Sequence, residues 1–183
     1  MIRLAVHNFS WINGVADDPD DQCAHGKVEF SVDDCHFVRP EDGELTVSAA
    51  GLFLLRSLTD DNTEDNPIAE CNFMFPCCGR TAWIQSEGRY KVLCMGCNIG
   101  VDVAVRHDRD LVSLAVGGIQ VTVKEAEWRR SVLAFCRQVE DFYSRCAPKT
   151  IMDDEPDRNG WAAFWAEWGE RSKNAKQVPG SET

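Results

Sequence analysis

The spacing of apolar residues changes several times along this chain, and this alternation limits its fold more than any other feature. Apolar residues alternate with others over 2–6 and 28–32, which predicts two half-buried strands. Over 45–58 they recur at the 3.6-residue period of a helix. Short β-branched or aromatic segments then follow at Asn72–Phe75, Thr81–Gln85, Tyr90–Cys94, Val101–Arg106, Leu111–Val116 and Ile119–Val123. The last two flank Gly117-Gly118, a dipeptide suited to a tight hairpin.

Two further helices are predicted in the last third of the chain. The longer covers 125–146, with Trp128 on its apolar face and Arg129, Arg130 and Arg137 largely on the polar face. The shorter covers 160–171 and carries an aromatic stripe of Trp161, Phe164, Trp165 and Trp168. Such a stripe is more often core than a partner-binding anchor, and the sequence leaves both open.

These elements predict an α+β fold. We expect an antiparallel sheet of about six to eight strands, two main helices packed on it, and a short aromatic C-terminal helix. A single domain is expected over 1–171, comprising an acidic front lobe (1–70), a strand-rich segment (71–123) and a helical part (124–171), with a flexible tail at 172–183.

Charge is distributed unevenly along the chain. Residues 1–70 hold 15 Asp and Glu against 4 Lys and Arg, a balance of −11, whereas residues 71–183 hold 15 of each. A concentrated anionic surface repels nucleic acid and anionic membrane but attracts a basic protein. The expected partner-binding residues are therefore two acidic clusters, Asp17, Asp18, Asp20 and Asp21, and Asp60, Asp61, Glu64 and Asp65. The alternative is that these loops only keep the protein soluble.

The nine cysteines suggest either a structural zinc site or ordinary thiols. Cys94 and Cys97 form a C-x2-C knuckle, and Cys78 precedes it at the spacing of a zinc ribbon. A complete site would then contain Cys78, Cys94 and Cys97, with Cys77 as the expected fourth ligand and Cys71 or His107 as alternatives. The odd number of thiols, the length of the chain and the absence of an apolar leader favour a reducing, cytoplasmic location.

A thiol enzyme is the least favoured class. Cys23 with His25, or Cys35 with His36, would supply a nucleophile and a base, but catalytic Cys and His residues usually meet from distant positions. No catalytic residue is assigned.

Four segments resemble a known class of proteins: FPCCGRTAW, CMGCNIGVDVAVRH, VTVKEAEWRRSVLAFCRQVEDFY and APKTIMDDEPDRNGWAAFWAEW. They are similar to small acidic bacterial proteins encoded beside secreted polymorphic toxins as their immunity proteins. The resemblance covers roughly residues 70–170 and implies a cytoplasmic α+β protein that binds and blocks a toxin enzyme. It carries over no functional residue. The alternative function is a zinc-stabilised structural or regulatory protein.

Overall fold

A computed structural model describes residues 1–69, 73–77, 80–95 and 99–177. Its strands, in chain order, are β1 (Ile2–Ser10), β2 (His25–Val32), β3 (Cys35–Val38), β4 (Glu44–Thr46), β5 (Phe75–Pro76), β6 (Arg80–Ser86), β7 (Arg89–Met95), β8 (Gly100–Val101), β9 (Ala104–Asp108), β10 (Leu111–Val116) and β11 (Ile119–Lys124). Its helices are α1 (Val47–Arg56), α2 (Glu125–Ser144) and α3 (Glu155–Gln177), and a 3-10 turn lies at Pro40–Asp42.

Among the described residues, the strands pair in antiparallel fashion and form four small sheets. β2 lies at the centre of the first sheet, where β1, β3 and β4 pair with it. The second sheet has the order β11-β10-β9, and the pairs β6-β7 and β5-β8 complete the set. Gly117 and Gly118 have φ angles of 55° and 87°, which confirms the tight hairpin between β10 and β11. The α+β class predicted from the sequence is confirmed.

Helix α2 covers the free edge of β1. The backbone N–H of Ile2 donates to Glu127 Oε1, and that of Val6 donates to Gln138 Oε1, both at 3.0 Å. These helix side chains satisfy edge-strand donors that would otherwise require water or another strand. Below this contact, Trp128 is fully buried, as its position on the apolar face predicts.

The aromatic stripe of α3 belongs largely to the core. Phe164 and Trp168 are 1% and 2% exposed, whereas Trp161 and Trp165 are half-buried and contact Tyr143 of α2. The indole of Trp168 lies directly against Gly51 of α1, where only a glycine leaves room for it.

Helix α3 is longer at both ends than the sequence predicted. It begins at Glu155 because Asp154 caps it, accepting a hydrogen bond from the backbone N–H of Asp157 at 2.8 Å. It continues to Gln177, with Ser172 and Ala175 buried, so the predicted start of a flexible tail at 172 is wrong for residues 172–177. Residues 178–183 lie outside the described residues.

The polar face predicted for α2 is also only partly correct. Arg130 and Arg137 are exposed, but Arg129 is only 6% exposed and lies in the interior between helices. None of the described helices has a stretch both long and apolar enough to cross a membrane.

Candidate functional site

The first acidic cluster lies in a loop that is folded against the C-terminal end of α2. Asp17 Oδ2 accepts a hydrogen bond from the backbone N–H of Ala147 at 2.7 Å. The backbone N–H of Thr150 donates to the carbonyl of Pro19 at 2.8 Å. The predicted cluster is therefore held against a segment about 130 positions further along the chain.

Two side chains fix the base of this loop. The hydroxyl of Tyr143 donates to the carbonyl of Gln22 at 2.6 Å and accepts from the backbone N–H of Ala24 at 3.0 Å. Burial, above all, raises the pKa of Tyr143 well above its usual value, so the hydroxyl stays neutral and retains the proton that it donates. Lys149 donates to the carbonyl of Asp18 at 2.6 Å while its ammonium lies 3.2 Å from the ring centroid of Trp11.

The aspartates of the loop differ in how they are used. Asp21 accepts from the backbone N–H groups of Ile12 and Cys23 at 2.8 and 2.9 Å, so it shapes the loop. Asp18 accepts from the side chain of Asn13 and from the backbone of Asp20. The carboxylate of Asp20 is exposed and accepts no hydrogen bond from the described part of the chain. Asp20 is thus the aspartate most available to a partner.

A groove of about 700 Å³ opens beside this loop, and we call it the acidic groove. Its lining residues are Asp20, Asp21, Gln22, Cys23, Thr81, Ala82, Trp83, Met95, Thr150, Met152 and Asp157. Met95 and Met152 are 54% and 64% exposed, which is high for large apolar side chains. The groove therefore combines exposed apolar side chains with the carboxylates of Asp20, Asp21 and Asp157.

The acidic run at the start of α3 contributes Asp157 to the groove, a residue that the sequence did not single out. Residues 17–21 and 153–157 together carry eight carboxylates and no Lys or Arg. Asp157 accepts from Trp83 Nε1 at 3.0 Å, which joins the start of α3 to β6. The D-D-E-P-D run was the available signal, because an Asp cap and a proline in the first turn mark the start of a helix.

The second predicted acidic cluster lies away from the acidic groove, towards the N-terminal end of α2. Asp60 pairs with Arg171 at 3.2 Å, and Arg171 lines a cavity with Glu125 of the first turn of α2. A 20-residue helix such as α2 spans about 30 Å, so the structure does not bring the two clusters together on one face.

Two members of this second cluster, Asp60 and Asp61, have partners within the fold. Hydrogen bonds from the ring and then the backbone N–H of His107 hold the pKa of Asp61 below its ordinary value, both at 2.9 Å. Glu64 and Asp65 are exposed, and their side chains accept no hydrogen bond from the residues that the structure describes.

Two of the predicted zinc ligands, Cys78 and Cys97, lie outside the described residues, as does Cys71. Cys94 is fully buried at the end of β7, and Cys77 is half-buried next to β5. Over 1–69, 73–77, 80–95 and 99–177, no three His, Cys, Asp or Glu side chains are arranged to hold a metal ion.

Two of the described thiols, Cys136 and Cys146, are poorly suited to nucleophilic chemistry. Burial raises the pKa of Cys136 well above its ordinary value, and burial followed by the charge of Asp17 raises that of Cys146. Cys23 is 4% exposed, and its sulfur accepts from the backbone N–H of Thr81 at 3.0 Å. A raised thiol pKa lowers the fraction of reactive thiolate at neutral pH, so Cys136 and Cys146 are poor candidates for a nucleophile.

Comparisons with protein-family models, with curated proteins and with solved structures found no significant match to this chain.

Proposed function

We propose that this protein is a cytoplasmic immunity-type binding protein that neutralises a toxin enzyme by docking a basic surface of that enzyme on the acidic groove. One observation carries the proposal: carboxylates from two acidic runs, Asp20 and Asp21 from 17–21 and Asp157 from 153–157, line one groove with the exposed side chains of Met95 and Met152. The groove needs no chemistry of its own, because an inhibitor acts by occupying its partner.

The composition of the groove suits a protein partner. Protein interfaces tend to have an apolar core, in which methionine is enriched, and a polar rim. Exposed methionines adapt to different shapes because their side chains are unbranched and flexible. The carboxylates around Met95 and Met152 would accelerate encounter with a cationic surface and disfavour neutral or acidic proteins.

The same charge argues against other kinds of partner. Nucleic acids and anionic membranes present dense negative charge, and proteins that bind them neutralise phosphates with Lys and Arg. Segments 17–21 and 153–157 offer neither residue. A basic toxin domain, whose cationic cleft would otherwise hold an anionic substrate, is the complementary partner.

The test purifies the product of the open reading frame adjacent to this gene, which the proposal expects to contain a secreted toxin domain. We expect its association rate with the full chain to fall steeply as salt rises from about 0.01 M to about 1 M, where the Debye length shrinks from ~30 Å to ~3 Å. An association rate that is indifferent to salt, or the absence of binding, would contradict the proposal.

Matched charge variants locate the contact. Asp20→Asn with Glu155→Gln removes one carboxylate that lines the groove and one from the acidic run at the start of α3, and neither accepts a hydrogen bond within the described chain, so we expect slower association and a shallower salt dependence. The control, Glu64→Gln with Asp65→Asn, removes two exposed charges from the second cluster. If the control slows association as much as the groove variant, net charge and not the acidic groove is responsible.

The second candidate function is a zinc-stabilised structural or regulatory protein. The observation that favours it is the pairing of described residues that flank Cys78 and Cys97 in the sequence. The backbone N–H of Cys77 donates to the carbonyl of Ile99 at 3.0 Å, and Thr81 pairs with Cys94. Zinc analysis of the purified chain and its melting temperature with and without a chelator test this candidate, since a structural zinc contributes directly to folding. An unchanged melting temperature would remove it.

A further inference from the structure

A second cavity lies between the three helices, and we call it the helical cavity. Its volume is about 520 Å³, within the range of small-molecule sites. It is bounded by the end of α1 and the following turn, the first turns of α2, and the C-terminal half of α3. Arg129 and Glu170 contribute opposite charges to its wall, and Leu55, Leu58 and Ala175 contribute apolar surface.

Arg129 is buried there with most of its hydrogen-bonding capacity unused. The side chain is 7% exposed, and Nη2 donates to Glu125 Oε1. A guanidinium has five N–H donors, and Arg129 makes no other hydrogen bond with the described residues. Because Arg129 lines the cavity, its remaining donors are available to an acceptor there, and a carboxylate is the acceptor that best matches a guanidinium. The cavity therefore has a place for a ligand anion.

The helical cavity also offers a place for a ligand cation. The nearby carboxylate of Glu167 is already used, since it accepts from Arg56 at 2.7 and 2.8 Å and from Arg171 at 2.9 Å. Glu170, by contrast, is exposed and has no hydrogen bond or ion pair within the described chain. Arg129 and Glu170 are thus two opposite charges with spare capacity in one cavity.

Leu55, Leu58 and Ala175 form an apolar part of the wall. Leu55 is 1% exposed, Ala175 is 7% exposed, and Leu58 is half-buried. An apolar group of a ligand would pack on the part of these side chains that faces the cavity, as in most small-molecule sites.

We propose that the helical cavity binds a small zwitterion with an apolar body, specifically an α-amino acid with an apolar side chain. Its carboxylate would accept hydrogen bonds from Arg129, its ammonium would pair with Glu170, and its side chain would pack on Leu55, Leu58 and Ala175. The proposal is independent of the acidic groove and holds whether or not the chain binds a toxin.

The test is titration of the full chain with L-leucine and with L-phenylalanine. Binding is measured by calorimetry and by the chemical-shift changes of cavity residues. We expect saturable binding. The methyl ester, which lacks the carboxylate charge, and the N-acetyl derivative, which lacks the ammonium, should each bind at least about tenfold more weakly, a difference of about 1.4 kcal/mol. No saturable binding of either amino acid up to about 10 mM would overturn the proposal.

Variants assign the two charges. Glu170→Gln changes an exposed side chain and should weaken binding of the free amino acid about tenfold while leaving binding of the N-acetyl derivative unchanged. Arg129→Met keeps an apolar stem and should abolish binding, and circular dichroism reports whether that variant folds. Ala175→Leu fills the cavity without changing its charge, and it should also abolish binding. Glu64→Gln is the control. Undiminished affinity in both Glu170→Gln and Ala175→Leu would overturn the assignment.

Discussion

Replacing Gly51 by alanine tests the closest contact between α1 and α3. A Cβ at this position would lie 2.4 Å from Cη2 and 2.8 Å from Cζ3 of Trp168, where real Cβ atoms essentially never lie. The indole is 2% exposed and its Nε1 donates to Glu140 Oε1 at 2.7 Å. Trp168 is therefore held by the core on one side and by a charge-assisted hydrogen bond on the other, and it has little freedom to move away.

The expected change in the free energy of unfolding follows from three opposing contributions. Overpacking costs about 1–3 kcal/mol, and loss of the bond to Glu140 would add about 1.5–3 kcal/mol. Alanine in place of glycine within a helix recovers roughly 0.5–1 kcal/mol. Gly51→Ala should therefore destabilise the protein by up to about 2.5 kcal/mol if the indole keeps its hydrogen bond, and by about 1.5–5.5 kcal/mol if the bond breaks.

Urea denaturation, monitored by far-UV circular dichroism, measures this change in the free energy of unfolding. Gly169 provides a control position in the same chain. Gly169 lies on the exposed side of α3, and a Cβ there meets no atom within 4 Å, so Gly169→Ala should stabilise by roughly 0.5–1 kcal/mol. In a Trp168→Phe background, the smaller ring should reduce the cost of Gly51→Ala, which makes the coupling visible as a double-mutant cycle. If Gly51→Ala stabilises as much as Gly169→Ala, the described packing of α3 on α1 is wrong.

Two further predictions concern the core and its acid stability. Trp128→Ala should cost about 3–5 kcal/mol in urea denaturation, and a cost below about 1 kcal/mol would mean that this face of α2 is not buried. Burial pushes the pKa of Glu167 upward, but Arg56 and then Arg171 outweigh it and hold that pKa below 4.5. The ion pair therefore stabilises the fold above about pH 4.5 and is lost as pH falls through the lowered value. In Glu167→Gln, the free energy of unfolding should fall less steeply as the pH is lowered. If its dependence on pH is the same as in the unmodified protein, the assignment is wrong.

The fold class was predictable because it depends on local patterns. The 3.6-residue spacing around Trp128 and the Gly117-Gly118 turn specify a buried helix face and a hairpin from neighbouring residues alone. The division of the strands into four sheets was not predictable in this way, because which strands pair depends on distant segments and on the helices packed against them. The C-terminal end of α3 was predicted wrongly for a related reason. Ser172 and Ala175 are small residues that carry no strong apolar signal, although tertiary packing buries both.

The candidate sites were only half predictable. The first acidic cluster was evident from its composition, but its meeting with residues 153–157 depends on tertiary contacts such as that between Asp17 and Ala147. Arg129 was assigned to a solvent-exposed face because a charged residue beside other charged residues usually lies there. Its burial follows from the way α3 packs across the start of α2, a contact with no signature in the local sequence.

Helix α2 links the two proposed sites and also separates them. Arg129 borders the helical cavity near one end, and Tyr143 holds the base of the acidic loop near the other. At 1.5 Å per residue these positions lie about 21 Å apart, beyond the Debye length of about 8 Å at physiological ionic strength. Neither site shares a hydrogen-bonded partner with the other among the described residues, so their binding energies should add without coupling. An amino acid that changed the affinity for a basic partner would instead require α2 to shift between two packings against its neighbours, since coupling requires two states that the ligands stabilise differently.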